Sequence, residues 1–416
     1  MSRQRKIRVG VIGVGRGRTF MKQAAPVGME LVAICDTWKE QLQKTGREFK
    51  IATYTDYDKF LAHDMDAVVL ANFFHQHAPF AIRALAAGKH VMSECAACNT
   101  LAEGVALCRA VEKSGKIYMF AENYPYTAFN LEMARLYQEG EIGRAIYAEG
   151  EYNHPGSFEW GAGISPGVKH WRNNIPATYY CTHALAPLMH ITDTMPVRVN
   201  GFAMPLPLDS NCSRKRLWKQ QDAASVIMTT MDNGAAFKLI QGGLPGHSIY
   251  YRLHGEYGMM ENGRGPGYWG PGNVRIVHED YDCKPGQVPE KSYYPQFPEW
   301  AKAALTAGHG GGDFFTNYHF AAAIRTGKQP YLNVYRGVAM SVVGIQAWKS
   351  VLDNGNGYPV PDFRREKTRK AYADDHWAPM NLDDPKGPPI CSLGKRELLP
   401  ENLKKAKKIW KRAGHV

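Results

Sequence analysis

The sequence predicts an α/β protein in which a doubly wound parallel sheet is followed by an α+β domain with a mostly antiparallel open sheet. Short apolar strands alternate with helical patterns from Ile7 to about residue 123, which is typical of a parallel sheet with helices on both faces. Beyond that point the strands are longer and follow one another in hairpin-like succession, as around Asp232-Asn233-Gly234, which favours antiparallel pairing. A chain of 416 residues is long enough for two separate cores.

The first unit of the parallel sheet extends from Ile7 to Asp36. A β-branched run, Ile7–Ile12, leads into a glycine-rich turn, a helical pattern and a second strand that ends at Asp36. A strand, a glycine turn, a helix and an acid about 20 residues further on form the half-site of a Rossmann dinucleotide-binding fold. Gly13 allows the tight turn, Gly15 leaves room for a pyrophosphate at the helix N-terminus, and Asp36 is placed to accept hydrogen bonds from the adenosine ribose.

The glycine pattern of this turn is G-x-G-x-G, because Arg18 stands at the place of the usual third glycine and Gly17 comes one residue earlier. We predict that Arg16, Gly17 and Arg18 contact the cofactor together with the glycines before them. The carboxylate of Asp36 would repel the 2′-phosphate of NADP, so the pattern favours NAD. The basic side chains of Arg16, Arg18 and Lys39 leave NADP open as an alternative.

Polar residues follow the later strands of this sheet. Because ligands of an open parallel sheet lie at the carboxyl ends of its strands, Asn72, His75, His77, Glu94-Cys95 and Glu122-Asn123 are predicted to line the cofactor. The two histidines could instead cap the helix that follows them. The predicted elements are helix 38–49, strand 52–54, helix 56–61, strand 67–71, helix 78–87, strand 89–93, helix 100–114 and strand 116–121.

The composition argues against a nucleic-acid or membrane partner. The net charge is +12, but much of the excess lies between Lys395 and Arg412, as on the solvated face of a terminal helix, and no nucleic-acid-binding motif accompanies it. No apolar run approaches the roughly 18 residues of a membrane span. The polar stretch from Met1 to Arg5 leads directly into the first strand, so we expect a cytoplasmic protein, with a periplasmic location open if an export signal has been removed.

The cysteines do not form a metal-binding pattern. Only Cys95 and Cys98 have C-x-x-C spacing, and neither a second pair nor a histidine cluster accompanies them. We therefore predict no metal site and reduced, mostly buried thiols. The eight cysteines are Cys35, Cys95, Cys98, Cys108, Cys181, Cys212, Cys283 and Cys391.

A polar and aromatic stretch of the second domain carries candidate catalytic residues. Tyr180 and His183 are three residues apart, so a helix would place them on one face. A tyrosine beside a histidine can move a proton to or from a sugar hydroxyl during hydride transfer. The alternative is two hydrogen-bonded residues in an aromatic core. Glu149, at the end of a strand that leads to this region, could act as an acid or base.

Two other features of the second domain concern the same site. His309 lies in the glycine-rich turn 307–313, where close backbone approach to a ligand is allowed, with Asp313 as the predicted N-cap of the next helix; a mobile turn with an incidental histidine is the alternative. The segments 263–272 and 284–298 are rich in Gly, Pro and Tyr and are predicted to be loops over a site or an interface. We place the domains at 1–123 and 124–355, with an extension at 356–416 that packs on the outside or on a neighbouring subunit.

Taken together these motifs resemble the Gfo/Idh/MocA oxidoreductase family over roughly residues 5 to 350. The resemblance rests on the glycine turn, on Gly88-Lys89-His90-Val91 followed by Glu94, on Glu122-Asn123, and on Gly140-Glu141-Ile142-Gly143 before a second domain. Most members carry Glu-Lys-Pro where this chain has Glu94-Cys95-Ala96. They also carry an aspartate where this chain has Tyr179.

One branch of the family departs in similar ways, namely the NAD-dependent glycosidases typified by glycoside hydrolase family 109. Its sequences are similar to this chain at Cys95-Ala96-Ala97, at Trp171-Arg172, at residues 180–187 and at residues 308–313. The resemblance implies that tightly held NAD⁺ oxidises C3 of a glycoside such as an N-acetylgalactosaminide. The C2 proton is then removed, the aglycone leaves by elimination, water adds at C1 and the hydride is returned.

The resemblance also implies residue roles. Tyr180 and His183 transfer protons at the 3-hydroxyl and C2, and Glu149 and His309 assist catalysis or hold the substrate. Further implied contacts are Trp171 and Arg172 with the cofactor and His154, Tyr179 and Thr182 with the sugar. Two other interpretations stay open: a dehydrogenase that makes 3-keto sugars with NAD(P), and a non-catalytic sugar or dinucleotide sensor. The resemblance further implies a homo-oligomer, either a dimer or a tetramer, joined through the second-domain sheet.

Overall fold

The computed structural model describes residues 5–206, 216–265, 267–381, 384 and 386–415. Within these ranges a six-stranded sheet is followed by a nine-stranded sheet. Cys212 lies outside the described residues, and the seven other cysteines are free thiols, six of them buried. None of the described helices is both long and apolar enough to cross a bilayer.

The first sheet has the predicted doubly wound form. Its order is β3-β2-β1-β4-β5-β6 and all of its pairings are parallel. The order reverses between β1 and β4, so the carboxyl ends of these strands open a crevice for a ligand. The strands are β1 (Ile7–Ile12), β2 (Met29–Cys35), β3 (Ala52–Tyr54), β4 (Ala67–Leu70), β5 (His90–Ser93) and β6 (Tyr118–Phe120).

The helices between these strands begin where polar caps allow. Asp56 accepts a hydrogen bond from the backbone N–H of Lys59 at 2.9 Å, and Thr100 caps the fifth helix through the backbone N–H of Glu103 at 3.0 Å. His77 does not cap the fourth helix: its Nδ1 lies 3.0 Å from the carbonyl oxygen of Ala96. The helices are α1 (Gly17–Ala24), α2 (Lys39–Phe49), α3 (Tyr57–Leu61), α4 (His77–Ala86) and α5 (Leu101–Ser114).

The second sheet is mixed, with one parallel pairing, β7 with β10, among its described strands. Its order is β14-β13-β12-β11-β7-β10-β9-β8-β15. The strands are β7 (Ala145–Asn153), β8 (Pro196–Pro205), β9 (Asp222–Met231), β10 (Ala236–Gly242), β11 (Ser248–Gly255), β12 (Met259–Asn262), β13 (Val274–Val277), β14 (Glu290–Tyr293) and β15 (Tyr358–Pro359). The helices are α6 (Ala128–Gln138), α7 (Phe158–Gly163), α8 (Thr182–Thr192), α9 (Gly312–Thr326), α10 (Val334–Leu352), α11 (Glu366–Tyr372) and α12 (Pro400–Arg412).

The structure corrects one loop prediction. Strand β14 lies inside the segment 284–298 that the sequence predicts to be a loop, and it pairs with β13 at the edge of the sheet. Its residues, Glu290-Lys291-Ser292-Tyr293, lack the apolar alternation by which a half-buried strand is recognised. One face of the strand is exposed, and the half-buried face carries a lysine beside its one aromatic residue.

The chain beyond residue 355 packs on its own two domains. Strand β15 joins the edge of the second sheet beside β8, α11 lies against α5 and α12 lies against α7. The indole N–H of Trp348 in α10 donates to the carbonyl oxygen of Pro389 at 2.8 Å. The extension therefore covers both domains of the same chain.

Two partly buried histidines make the folded state sensitive to acid. His190 and His319 flank the ring of Tyr126, with ring centroids 5.5 and 4.8 Å away. Burial lowers the pKa of each to about 4, helped for His190 by the charge of His319. Imidazoles of the unfolded chain titrate near pH 6.5, so between about pH 6.5 and 4 the unfolded chain binds more protons, and the free energy of unfolding falls as the pH falls.

We expect urea unfolding at about pH 5 to give a free energy lower than at about pH 7.5, by on the order of 2 kcal/mol for each histidine. The variant His319→Gln is expected to lose one of the two contributions, so its free energy of unfolding should depend less on pH. An unchanged pH dependence in that variant would contradict the assignment.

Candidate active site

A cavity of about 200 Å³ lies between the two domains at the carboxyl ends of the parallel strands, where α/β proteins bind ligands. The first domain contributes residues of the glycine turn and of the loops after β4, β5 and β6, namely Arg16, Ala71, Asn72, Phe74, His77, Glu94, Cys95 and Asn123. The second domain contributes mainly aromatic and imidazole side chains, namely Tyr152, His154, Trp160, Ile164, Trp171, Arg172, Tyr180, His183, Tyr268 and His309.

The glycine turn after β1 is shaped for close approach. At Gly13 φ is +96°, and a Cβ atom there would lie 2.3 Å from the carbonyl oxygen of Ala71, so only glycine fits. At Gly15 no described heavy atom lies within 4 Å of the Cβ position, so the turn is open to a ligand. At Gly17 a Cβ atom would lie 2.7 Å from Val11. Gly17 therefore allows the close helix–strand packing that the third glycine of the fingerprint normally allows.

The acid at the end of β2 is fixed beside this turn. The carboxylate of Asp36 accepts hydrogen bonds from the backbone N–H groups of Val14 at 2.7 Å and Trp38 at 2.8 Å. Arg18 points elsewhere, because its guanidinium pairs with Glu48 of α2 at 2.7 Å. Glu48 therefore already pairs with Arg18, which is one of the basic residues that could otherwise bind the 2′-phosphate of NADP.

Arg16 joins the two domains through two carboxylates. Its Nε donates to Glu94 at 2.5 Å and its Nη2 donates to Asp313 at 2.7 Å. Burial would raise the pKa of Asp313, but the hydrogen bond from His309 and the charge of Arg16 outweigh it and hold the pKa well below its usual value. Burial would likewise raise the pKa of Glu94, and Arg16 again lowers it. Both carboxylates are therefore ionised at neutral pH.

Several buried polar atoms around the glycine turn lack hydrogen-bond partners that a ligand would supply. Both side-chain polar atoms of Asn72, Nδ1 of His75, Nε2 of His77 and Nε1 of Trp38 are buried without a partner among the described residues. Such atoms cost about 1–3 kcal/mol each when they stay unpaired. They follow β2 and β4, on either side of the turn, where the two halves of a dinucleotide diverge. The residues present therefore fit NAD.

A histidine of the cavity wall is held by a carboxylate that lies behind it. His183, near the start of α8, has Nδ1 2.6 Å from Oε1 of Glu122, a residue that follows β6 and is fully buried. Because a carboxylate can only accept, Nδ1 carries the proton and Nε2 is left as an acceptor. This fixed tautomer is what a general base requires. The sequence predicts Glu122 as a cofactor contact, whereas the structure places it against His183.

A second histidine–carboxylate pair faces the same cavity. Nδ1 of His309 lies 2.8 Å from Oδ2 of Asp313. The prediction that Asp313 caps the next helix is wrong, because Gly311 is the N-cap and α9 begins at Gly312. A Cβ atom at Gly312 would lie 2.2 Å from the carbonyl oxygen of Asn123, so the turn is pressed against the first domain. This close approach lets the Asp313 carboxylate meet Arg16 as well as His309.

Tyr180 stands next to the first pair. Its ring is perpendicular to that of His183, with centroids 4.8 Å apart, and it stacks with Phe74 and Trp171. The two residues meet because a turn precedes α8, which begins at Thr182, and not because they share a helix face. Burial raises the pKa of Tyr180 far above its usual value, so its hydroxyl stays protonated and can donate a hydrogen bond.

Cys95 lies beside the same pair, where most of the resembling family has a lysine. The potential ligand atoms of Cys95, Glu122 and His183 all lie within 4.8 Å of one another. Burial, and then the charges of Glu94 and Glu122, raise the pKa of the Cys95 thiol well above its usual value. The thiol is therefore protonated in this arrangement, and its Sγ lies 3.5 Å from Oε2 of Glu94.

The structure does not bring Glu149 to the cavity, contrary to the prediction. The adjacent Gly150 faces α8, because a Cβ atom there would lie 2.0 Å from the carbonyl oxygen of Ala184. Neighbouring residues of a strand point to opposite faces, so Glu149 lies on the other face of the sheet. There it accepts hydrogen bonds from Lys238 at 2.7 Å and from the hydroxyl of Tyr147 at 2.8 Å.

Two predicted sugar contacts also lie outside the cavity. Tyr179 is buried against α10, where a Cβ atom at Gly344 would lie 3.0 Å from its Cα, and its hydroxyl has no partner within the described ranges. Thr182 is buried behind the wall, beside the thiol of Cys95. Both side chains belong to the packing under the site.

The cavity continues into a second compartment of about 230 Å³. Trp171 stacks on Phe74 with centroids 5.1 Å apart, and the guanidinium of Arg172 lies 4.2 Å above the Trp171 ring. His154 stacks on Trp160 with centroids 5.1 Å apart. The walls common to the two compartments are Tyr152, His154, Trp160, Ile164, Trp171, Arg172 and Tyr180.

Sequence reasoning misses two aromatic residues of the site. The hydroxyl of Tyr268 lies 2.6 Å from that of Tyr124, and Tyr268 belongs to the segment 263–272 that is predicted to be a loop over a site. The ring of Tyr152 lies 4.6 Å from that of His183. The two-residue period of a strand could have identified Tyr152, since it is two residues from Gly150 and lies on the same face of the sheet.

Comparisons with known proteins match a family model to each of the two domains. Residues 7–122 match the model of the oxidoreductase family with an NAD-binding Rossmann fold, Gfo/Idh/MocA, and residues 218–370 match the model of the glycosyl hydrolase 109 C-terminal domain. A glycosyl hydrolase family 109 protein 1 of Shewanella sp. strain ANA-3 is 26% identical and an alpha-N-acetylgalactosaminidase of Shewanella oneidensis is 25% identical. Each alignment covers 90% of this chain and 88% of the relative.

Solved structures share the fold. Levoglucosan dehydrogenase in complex with NADH and levoglucosan has a TM-score of 0.70 at 20% identity and covers 86% of this chain and 100% of its own. An aldose-aldose oxidoreductase from Caulobacter crescentus has a TM-score of 0.67 at 20% identity and covers 85% of this chain and 100% of its own. By the two family models, the first domain belongs to the Gfo/Idh/MocA oxidoreductase family, and the second domain is similar to that of the glycosyl hydrolase 109 proteins.

Proposed function

We propose that this protein hydrolyses a glycoside through transient oxidation at C3, elimination of the aglycone and addition of water at C1, with NAD as its cofactor. The observation that carries the proposal is that two histidines, His183 and His309, line one cavity and that each is held by a buried carboxylate behind the wall, Glu122 and Asp313. The relative named alpha-N-acetylgalactosaminidase favours an N-acetylgalactosaminide as the substrate.

Two bases are what this reaction needs beyond the oxidation of an alcohol. Oxidation at C3 releases the proton of the 3-hydroxyl, and elimination releases a second proton from C2, which the new carbonyl group acidifies. His183 and His309 each have Nδ1 held by a carboxylate, so each offers Nε2 as an acceptor. A dehydrogenase needs only the first of these bases.

NAD, when bound at the glycine turn, would accept and later return the hydride at C3. We assign His183 to the 3-hydroxyl proton, with the neutral hydroxyl of Tyr180 donating a hydrogen bond to the same sugar oxygen. His309, which the turn 307–313 presents to the cavity, is assigned to the C2 proton. No pair of carboxylates across the glycosidic bond is needed for this route.

The second compartment gives the leaving group a place. The wall that it shares with the cavity is largely aromatic and includes Tyr180 and Trp160. Aromatic side chains pack well against the apolar faces of sugar rings and against aryl groups. A glycoside that spans both compartments would place its bond to the aglycone beside the two histidines.

The proposal predicts that the purified protein releases nitrophenol from a nitrophenyl glycoside without added NAD, with the α-N-acetylgalactosaminide first in the panel. Replacing Tyr180 with phenylalanine is expected to lower the rate by about 10²-fold or more, because the donor to the 3-oxygen is lost. The matched control is Tyr179→Phe, since the Tyr179 hydroxyl is buried away from the cavity and its loss should leave turnover unchanged.

Deuterium exchange at C2 in D₂O separates this function from its alternatives. Exchange together with nitrophenol release supports the elimination route. Stoichiometric NADH with a ketone product and no exchange at C2 would show a net sugar dehydrogenase instead. Neither exchange nor NADH with any glycoside would favour a sensor, and full turnover by Tyr180→Phe would remove the role assigned to Tyr180.

A sugar or glycoside 3-dehydrogenase is the second candidate. It is favoured by the solved structures of similar fold, whose titles name a levoglucosan dehydrogenase and an aldose-aldose oxidoreductase. The second histidine–carboxylate pair has no task in that reaction. The homo-oligomer joined through the second-domain sheet stays a prediction.

A further inference from the structure

The last described helix is anchored on the wall of the cavity. α12 packs on α7, and the indole N–H of Trp410 donates to the carbonyl oxygen of Ala162 at 2.9 Å. Trp160 of α7 and Ile164 just after it line the cavity. The apolar cluster between the two helices consists of Phe158, Ala162, Leu217, Ala406 and Trp410.

Beyond α12 the chain reaches the loop after β2. The ring of His415 lies 4.3 Å from that of Trp38. Trp38 is two residues past Asp36 and donates its backbone N–H to the Asp36 carboxylate at 2.8 Å. The backbone of Gly414 passes close to α2, because a Cβ atom there would lie 3.7 Å from the Glu40 carboxylate. Residues 414 and 415 thus contact the element that holds the ribose-binding acid.

Other aromatic rings gather at the same end of the glycine turn. Phe73, which follows β4, is 44% exposed, and its ring lies 5.1 Å from that of His170 in the second domain. Burial, followed by the charges of Arg172, His415 and His75, lowers the pKa of His170 to about 3. His170 is therefore neutral, and this region presents uncharged aromatic faces.

We propose that His415 and Trp38 hold the adenine ring of the cofactor, and that α12 closes this end of the site by carrying His415. With its ribose at Asp36, the dinucleotide extends its base toward the loops after β2 and β4. Aromatic faces are the surfaces on which a base stacks. The indole N–H of Trp38 is buried without an acceptor in the described part of the chain, and a ring nitrogen of the base would supply one.

A covered adenosine end keeps the cofactor bound during the glycoside reaction; this step rests on the proposed function. Hydrolysis through a 3-keto sugar needs the same cofactor molecule to remain bound during elimination and addition of water. The helix that carries His415 is fixed to α7, so the adenosine end stays covered while the sugar side reacts. A dehydrogenase that uses free cofactor must instead release NADH in every turnover.

The test is the rate at which NADH leaves the loaded protein, followed by its fluorescence after mixing with excess NAD⁺. We expect His415→Ala and Trp410→Ala each to release NADH about 10-fold faster, as for the loss of one stacking partner of a base, and His415→Phe to restore slow release. Reduced nicotinamide mononucleotide lacks adenosine, so its affinity should be the same for the wild type and His415→Ala.

Unchanged release from both alanine variants would overturn the proposal. Slower release from His415→Ala would also overturn it, because His415 would then compete with adenine for the site. Weaker binding of the mononucleotide would show a general loosening of the site, which again contradicts the proposal. No glycoside is present in this experiment, so slow NADH release without glycoside turnover would reject the proposed function alone.

Discussion

Replacing Glu122 with glutamine is expected to lower the rate of glycoside turnover by about 10²- to 10⁴-fold. The carboxylate lies 2.6 Å from Nδ1 of His183 and fixes the tautomer that leaves Nε2 free to accept a proton. A glutamine of the same shape can present an N–H group to Nδ1, which selects the other tautomer, and it cannot balance the imidazolium that forms. The measurement is kcat with a nitrophenyl glycoside, together with deuterium exchange at C2.

The matched control is Glu149→Gln, the same substitution on the opposite face of the second sheet. Glu149 pairs with Lys238 and is expected to tolerate the change with turnover unaltered. The affinity for NADH should be unchanged in both variants, since neither carboxylate lies on the cavity wall. If Glu149→Gln lost activity while Glu122→Gln kept it, the sequence-based assignment of Glu149 would be restored and the structural one rejected.

These two glutamates show which features of the site can be predicted from the sequence and which cannot. Glu122 follows a buried strand of a parallel sheet, so its place at the ligand edge can be predicted from the order of the elements. Its partner is 61 residues away, and no periodicity joins them. The carboxylate that the resembling family takes from the position of Tyr179 is thus supplied from the other domain.

Glu149 could have been placed correctly from its neighbour. A glycine inside a strand often marks close approach of another backbone, and Gly150 indeed lies under α8. Strand alternation then sends Tyr152 to the cavity side and Glu149 away from it. The prediction was wrong because it rested on the position of Glu149 along the strand and not on the face of the sheet to which its side chain points.

The glycine turn could be predicted because the residues that form it are close to one another in the sequence. Gly13, Gly15 and Asp36 act within one βαβ unit, so the spacing of a single stretch carries the information. Asp313 acts over 297 residues to Arg16, and its local pattern, an acid after glycines, is that of an ordinary helix cap. The pairing of Asp313 with Arg16 becomes visible only when the structure shows how closely the turn 307–313 approaches the first domain.

Replacing Asp313 with asparagine is therefore expected to destabilise the contact between the domains, by about 3–5 kcal/mol if breaking this pair behaves as in other buried ion pairs. The buried carboxylate accepts hydrogen bonds from Arg16, Asn123 and His309. An asparagine keeps one acceptor oxygen and turns an N–H₂ group toward donors, which leaves buried groups unpaired. The measurement is a lowered melting temperature with a weaker affinity for NADH, since Arg16 is then held only by Glu94.

The matched control is Asp58→Asn, whose carboxylate is 77% exposed and pairs with Arg83 at the surface; its loss should cost no more than about 1 kcal/mol. The pH dependence distinguishes the two sites further. The pKa of Asp313 is depressed below its usual value of 3.8, so its contribution is fully present above that value and is lost only as the pH falls through the lower folded-state pKa. The stability difference between wild type and Asp313→Asn should thus be constant from neutral pH down to about pH 4.5. If the difference instead increased as the pH fell toward 6, the protonation of a histidine would be responsible for it, and the contact between the domains would depend on the pair of His309 with Asp313 and not on the ion pair with Arg16.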